Sequence, residues 1–144
     1  MKRFSLLIPM LMFAGLIFGQ NIANINVSIS NINLNGSKVF IGLYNNDSSF
    51  KLKSGAVDSL IFIPDSETGE VPFNSIPFGN YAIAIFQDIN NNGILDSKKF
   101  NIPSEPVGIT NYPINKSKLP PTFKKAKFTL SGDTLISIPL IFEN

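Results

Sequence analysis

The segment Asp88-Ile89-Asn90-Asn91-Asn92-Gly93-Ile94-Leu95-Asp96 is the densest cluster of carboxylates and side-chain amides in the chain, and it reads D-x-N-x-N-G-x-x-D. Calcium is a hard cation that takes roughly six to eight oxygen ligands. Positions 1, 3 and 5 of the segment aim the oxygens of Asp88, Asn90 and Asn92 at one point. Gly93 permits the positive-φ turn that wraps the chain around an ion. The carbonyl of Ile94 would be the position-7 ligand and Asp96 the position-9 ligand. Position 12 is Lys99, where an EF-hand places a bidentate Glu, so the segment is not an EF-hand. Glu105, from the following Pro-rich stretch, is the candidate for the missing carboxylate. With two or three carboxylates and two neutral amides, the expected affinity is that of extracellular modules, on the order of 10⁻⁴–10⁻³ M.

Two other readings use the same residues. Asn-Asn-Gly by itself signals a type I′ hairpin turn. Asp88, Asp96 and Glu105 are also the carboxylates from which an acid/base pair for glycoside hydrolysis would be drawn, although nothing in the sequence sets one pKa apart from another. Composition narrows the remaining chemistry. The 144 residues include no Cys, His or Trp, and the one Arg is Arg3. That removes disulfides, Cys/His zinc sites and every His-based triad. No Ser lies in a recognisable nucleophile turn. The expectation is a protein that is not an enzyme.

The N-terminus carries an address. Met1-Lys2-Arg3 is a basic head, and Phe4 to Phe18 is apolar but for Ser5 and Pro9. This is the pattern of a secretory signal peptide, expected to occupy residues 1–19, with cleavage before Gln20. At about 15 residues the run is short of the roughly 20 that span a bilayer. Export to the periplasm or beyond is expected, with no membrane insertion after cleavage. Lys2 and Arg3 leave with the signal, and ten basic residues then balance ten acidic ones. A neutral domain lacks the basic excess that draws nucleic acid. Lys116, Lys118, Lys124, Lys125 and Lys127 make a local basic run. A solvated strand edge guarded by Lys accounts for it, and an anionic glycan is the alternative partner.

Residues 20–144 read as one domain of strands and turns. Ile25 to Ile32 alternates apolar and polar, which puts its aliphatics on one face. Lys38 to Tyr44 and Ser59 to Ile63 are further strands, and Asn35-Gly36 is a hairpin signal. Asn45 to Ala56 is polar and loop-like, with Phe50 isolated in it. Glu70 to Phe73 contains Pro72 and suits an edge. Tyr81 to Phe86 is the strongest strand, and its alternating alanines, Ala82 and Ala84, predict cover on both faces. Thr122 to Leu130 and Thr134 to Phe142 are expected as two strands of a hairpin through Ser131-Gly132-Asp133. The Pro-rich stretch 101–121 is expected to lie over one end of the sandwich through Ile102, Val107, Ile109 and Tyr112. No window shows helical periodicity beyond the signal. About seven short strands with frequent turns predict an all-β fold, an antiparallel β-sandwich.

From Gly36 onward the chain resembles a family of uncharacterised secreted bacterial proteins, domain-of-unknown-function family 2141. The resemblance rests on Gly36-Ser37-Lys38-Val39-Phe40-Ile41-Gly42-Leu43-Tyr44 with Phe50, on Ile76-Pro77-Phe78-Gly79-Asn80-Tyr81-Ala82, on the Asp88–Asp96 segment, on Ile102-Pro103-Ser104-Glu105, Gly108 and Asn111, and on Pro121-Thr122-Phe123 with Ala126. Asn101 and Thr110 depart from the usual Gly and Ser. The strand-turn-strand followed by D-x-N-x-N-G-x-x-D also resembles calcium-binding repeats of bacterial surface adhesins. The P-x-G-x-Y turn is similar to that of transthyretin-like carboxypeptidase regulatory domains. These resemblances imply a transthyretin-like or immunoglobulin-like sandwich with a calcium loop, and they imply no activity. The expected function is an exported, non-enzymatic module with a structural calcium loop at 88–96 and a cell-surface protein or glycan as partner. The alternative is a calcium-independent module that binds a small ligand or glycan through the Pro-rich loop 101–121.

Overall fold

The computed structural model describes residues 21–99, 102–112 and 121–142. The expected signal peptide, with Lys116 and Lys118, lies outside the described residues. Among the described residues, eight strands make two sheets. β1 (Ile22–Ser30) runs between β4 (Gly69–Pro77) and β8 (Thr134–Pro139) in a three-stranded sheet of order β4-β1-β8. The second sheet has order β3-β2-β5-β6, from β3 (Asp58–Phe62), β2 (Lys38–Tyr44), β5 (Gly79–Asp88) and β6 (Val107–Ile109). β7 (Phe128–Leu130) pairs with the start of β5. The pairs are antiparallel except β1 with β8, which is parallel. The fold is all-β, a sandwich of a three-stranded and a five-stranded sheet.

Period-two patterning decides which face meets the other sheet. In β1, Ala23, Ile25, Val27 and Ile29 point inward and are buried, while Asn24, Asn26, Ser28 and Ser30 face out. Val39, Ile41 and Leu43 of β2 and Tyr81, Ile83 and Ile85 of β5 meet them from the opposite sheet, with Phe73 and Ile138 between. Each fully buried side chain of this size contributes about 1.5–3 kcal/mol by leaving water. β4 is an edge strand, as Pro72 requires. β6 closes one corner of the sandwich: Val107 bridges to Ile141, beyond the end of β8. Gly108 sits at that corner because a Cβ there would come within 2.6 Å of Ile138 Cγ2 and 3.0 Å of the Pro139 carbonyl.

Turn chemistry marked reversals correctly but misassigned partners. Asn35-Gly36 does not join a hairpin. β1 and β2 belong to different sheets, and the turn carries the chain from one to the other. Gln87, fully buried, holds this corner. Its Oε1 accepts the Asn33 N–H at 2.9 Å, and its Nε2 donates to the Asn33 carbonyl at 2.6 Å and to Ser37 Oγ at 2.9 Å. Ser131-Gly132-Asp133 is likewise a crossover between sheets, since β7 pairs with β5 and β8 with β1. Asp133 Oδ1 accepts the Asn24 N–H there at 2.7 Å. The Pro-rich stretch does not simply drape over an end: its Val107–Ile109 segment is a strand of the second sheet.

Two short helices replace predicted coil and strand. α1 (Asp47–Leu52) starts at Asn46, whose side chain accepts the Ser49 N–H at 2.9 Å. α2 (Phe123–Ala126) occupies the first half of the segment expected as a strand, and Lys124 and Lys125 lie in it and not on a strand edge. Both pack on the outer face of the five-stranded sheet. Phe50 is buried there with Tyr44, Ala82 and Ala126, and Phe123 packs against them. Ala82 is therefore covered on this side, as its small size implied. Among the described residues no helix is long and apolar enough to cross a membrane.

Lys53, the left-handed C-cap of α1, points its amine at the Phe50 carbonyl and lies 3.7 Å from the centroid of the Phe50 ring. Burial lowers its pKa from 10.5 to about 8. The unfolded chain therefore binds more protons between those values, and stability rises with pH across that window. Burial raises Tyr44 and Tyr81 above 10.0, so the native state holds those protons longer and stability falls as the phenols ionise. Urea titrations from pH 7 to 10 should show a rising midpoint, and Lys53→Met should abolish the rise; a flat wild-type profile would contradict the burial of the amine.

Candidate functional site

Asp88 ends β5, paired with Lys38 and only 1% exposed. From there its carboxylate reaches under the turn that follows. Oδ1 accepts the Asn92 N–H at 3.1 Å and Oδ2 accepts the Gly93 N–H at 2.8 Å. The chain is bent so sharply because two residues take left-handed backbone, Asn91 at φ 57° and Gly93 at φ 82°. Space around Gly93 is open, so the glycine answers a conformational need and not a steric one.

Asn90 and Asn92 repeat one motif. Asn90 Oδ1 accepts the Asn92 N–H at 3.2 Å, and Asn92 Oδ1 accepts the Ile94 N–H at 3.0 Å. These are local Asx-type turns. The other ends of both amides converge: Asn90 Nδ2 donates to Asp96 Oδ2 at 2.6 Å and Asn92 Nδ2 donates to the same atom at 2.8 Å. Three side chains thus meet at Asp96 Oδ2, through the amide nitrogens of Asn90 and Asn92; the expected convergence of the Asp88, Asn90 and Asn92 oxygens on one point is not what the structure has. Ile94 is on the rim, its side chain exposed.

Glu105 comes back to the loop from the Pro-rich stretch and is 4% exposed. Its Oε1 accepts the Ile89 N–H at 2.9 Å and its Oε2 accepts the Asp96 N–H at 3.1 Å, so one carboxylate staples the first and last turns of the loop. Residues 96–98 and 102–104 are held to each other by the Ser97–Pro103 bridge, by Lys98 N–H to the Ile102 carbonyl at 2.7 Å, and by Ser104 N–H to the Asp96 carbonyl at 2.9 Å. The plain type I′ hairpin reading fails on topology. The strand that pairs with β5 after the loop begins only at Val107, and the turn's N–H groups go to Asp88 in place of a ladder.

The arrangement is a cup of oxygen and amide groups around Asp96 Oδ2, braced from beneath by two buried carboxylates. Among the described residues, no three carboxylate or other metal-binding side chains stand together as a metal cluster, so an ion here would depend on amide and main-chain oxygens as well. Both buried carboxylates are engaged by main-chain N–H groups, an arrangement suited to fixing a loop. Sequence reasoning found every one of these side chains. It missed what lies beside them: Gly93, Ile94, Leu95 and Glu105 also line one end of an open groove of about 850 Å³ on the outer face of the five-stranded sheet. The signal was present in Phe40-x-Gly42-x-Tyr44, whose outward positions are aromatic, glycine and aromatic.

Comparison with known proteins adds one match. The model of a family described as an uncharacterised protein conserved in bacteria, DUF2141, matches residues 27–137. No curated protein and no solved structure matches the chain.

Proposed function

Since the chain belongs to this conserved bacterial family, DUF2141, whose description assigns no activity, we propose from its own residues that it is an exported, non-catalytic β-sandwich module whose 88–96 loop binds calcium. The observation that carries the reading is the convergence of Asn90, Asn92 and Asp96 on a single point. Both amide N–H groups there are spent on one carboxylate oxygen. A hard cation at that point requires the two amides to turn so that their Oδ1 atoms join Asp96, and its binding must offset the Asx-turn bonds to the Asn92 and Ile94 N–H groups that the turning gives up. The Asp88 carboxylate, the Ile94 carbonyl and water complete a set of oxygens of the size calcium takes. Glu105 supports the reading as the buried brace that keeps the loop ends together. Export is read from the N-terminal pattern, and a cell-surface protein or glycan as partner belongs to the same proposal.

The ion's role is structural: it binds the folded loop and stabilises the fold by mass action. At ten times the dissociation constant, that stabilisation is about 1.4 kcal/mol. For a domain of this size, the unfolding temperature should rise by roughly 4–8 °C in millimolar calcium over chelator. Calorimetric titration of the purified protein should show one site per chain, and Asp96→Ala should remove both heat and thermal shift. Absence of heat and shift in the wild-type protein would sink the proposal.

A further inference from the structure

The outer face of the five-stranded sheet is only partly covered. α1 and α2 seal it at the end marked by Tyr44 and Ala82. At the other end, Phe40 and Phe86 stack with centroids 4.7 Å apart and planes within 7°. Between them, Gly42 and Ala84 are cross-strand partners; the Tyr44 ring lies on Gly42, which leaves the small side chain of Ala84 as the open floor. The result is a trough of about 850 Å³, within the range of small-molecule sites. Its rim exposes Leu52 (68%), Ile61 (59%) and Ile94 (62%). Scattered exposed aliphatics are ordinary, but three around one concavity mark a place where apolar matter is received.

The charges in the trough are placed asymmetrically. Lys53 stands at the α1 end, and Glu105 is the lining carboxylate at the loop end. Glu105 spends its two oxygens on the Ile89 and Asp96 N–H groups. The Lys53 amine has a main-chain carbonyl and a ring face for company, and among the described residues no carboxylate is paired with it. A cation in that setting has donor capacity to spare for an anion. Tyr44 extends its hydroxyl over Gly42 close by, since a Cβ on Gly42 would stand 2.5 Å from it.

We propose that this trough binds an amphiphilic monoanion, with an unbranched apolar tail laid over Ala84 and along the stacked Phe40 and Phe86 rings and a carboxylate head at the Lys53 amine and Tyr44 hydroxyl. The tail is fitted by the small Ala84 side chain and the stacked rings. The head is fitted by the cation, and the size of the trough admits a chain of about ten carbons. At neutral pH the amine is charged, its pKa being about 8. The site is distinct from the calcium cup and adjoins it through Ile94 and Leu95, so it stands whether or not that loop takes an ion.

The test is calorimetric titration of the purified protein in chelator with decanoate, and with decyltrimethylammonium as the cation of equal tail, both below micelle formation. Decanoate should bind once per chain and the cation at least tenfold more weakly. A charge-assisted hydrogen bond is roughly twice as strong as a neutral one, so Lys53→Met should weaken decanoate about tenfold or more and narrow the gap between the two ligands. Ala84→Phe fills the floor and should abolish binding. Ile61→Ser, an exposed change on the rim that does not burden folding, should weaken both tails alike. Equal binding of the two amphiphiles, or decanoate binding unchanged by Lys53→Met and Ile61→Ser, would overturn the proposal. So would a stable dimer that buries this face and is broken by Ile61→Ser, because the occupant would then be a second copy of the chain.

Discussion

Asp88→Ala lowers the stability of the ion-free protein by about 3 kcal/mol. The estimate follows from what the carboxylate holds. It accepts two main-chain N–H groups, from Asn92 and Gly93, at a position 1% exposed. Hydrogen bonds to a charged acceptor contribute about 1.5–3 kcal/mol each, and partial rehydration of the exposed turn returns some of the loss. With a urea slope of about 1.5–2 kcal/mol per molar, the midpoint falls by roughly 1.5–2 M. The left-handed residues Asn91 and Gly93 then lose the bonds that offset their backbone conformation.

Asp96→Ala provides the contrast that separates scaffold from ion site. Asp96 Oδ2 is held by two side-chain amides, from residues that are themselves exposed, and exposed pairs of this kind contribute little. In chelator the Asp96 variant should stay within about 1 kcal/mol of the wild type. In calcium, both variants should lose the ion's stabilisation. An Asp88 variant whose midpoint moves by less than about 0.3 M would show that the turn is held by something other than this carboxylate.

The loop was legible because its constraints are local. D-x-N-x-N-G fixes side chains at short separations, and the main-chain N–H groups that Asp88, Asn90 and Asn92 accept lie five residues on or fewer; only the Glu105 brace comes from far along the chain. Burial alternation in β1 is local too, so the inward face of Ile25 to Ile29 could be read directly; β2 is buried on both faces from Ile41 to Tyr44, and its run of apolar residues marks a strand without marking a face. Partner choice is not local. Asn35-Gly36 and Ser131-Gly132-Asp133 specify a reversal and say nothing of which sheet receives the next strand. That choice is made by contacts such as Gln87 with Asn33 and Ser37, far apart in sequence. α1 escaped notice because six residues cannot show a helical period. Its evidence was the pair Asn46 and Ser49, a cap whose meaning depends on Phe50 finding a hydrophobic seat. The trough was invisible for a related reason. Its walls come from β2, β3, β5, β6 and two loops, and only the assembled sheet brings Ile61, Ala84 and Ile94 around one space.

Phe50→Ala should cost about 3–5 kcal/mol, the range for removing a buried aromatic side chain. Phe50 is 1% exposed and stands between two other rings. It meets Tyr44 edge-on at 5.8 Å and Phe123 at 6.0 Å, which adds aromatic packing to its burial. A helix of six residues has little stability of its own, so α1 rests on this anchor. Losing it frees Lys53, whose amine is placed by the Phe50 carbonyl and ring. The main core lies on the other face of the sheet and does not include Phe50. The loss should therefore divide. Hydrogen exchange in α1 and in Phe123–Ala126 should accelerate far more than in β1, whose amides report global opening. Phe50→Leu, which keeps most of the volume, should recover more than half of the stability and most of the exchange protection in α1. Uniform acceleration across β1 and α1 would mean that the outer cluster and the main core unfold as one unit, and that the wall carrying Lys53 cannot yield independently of the sandwich beneath it.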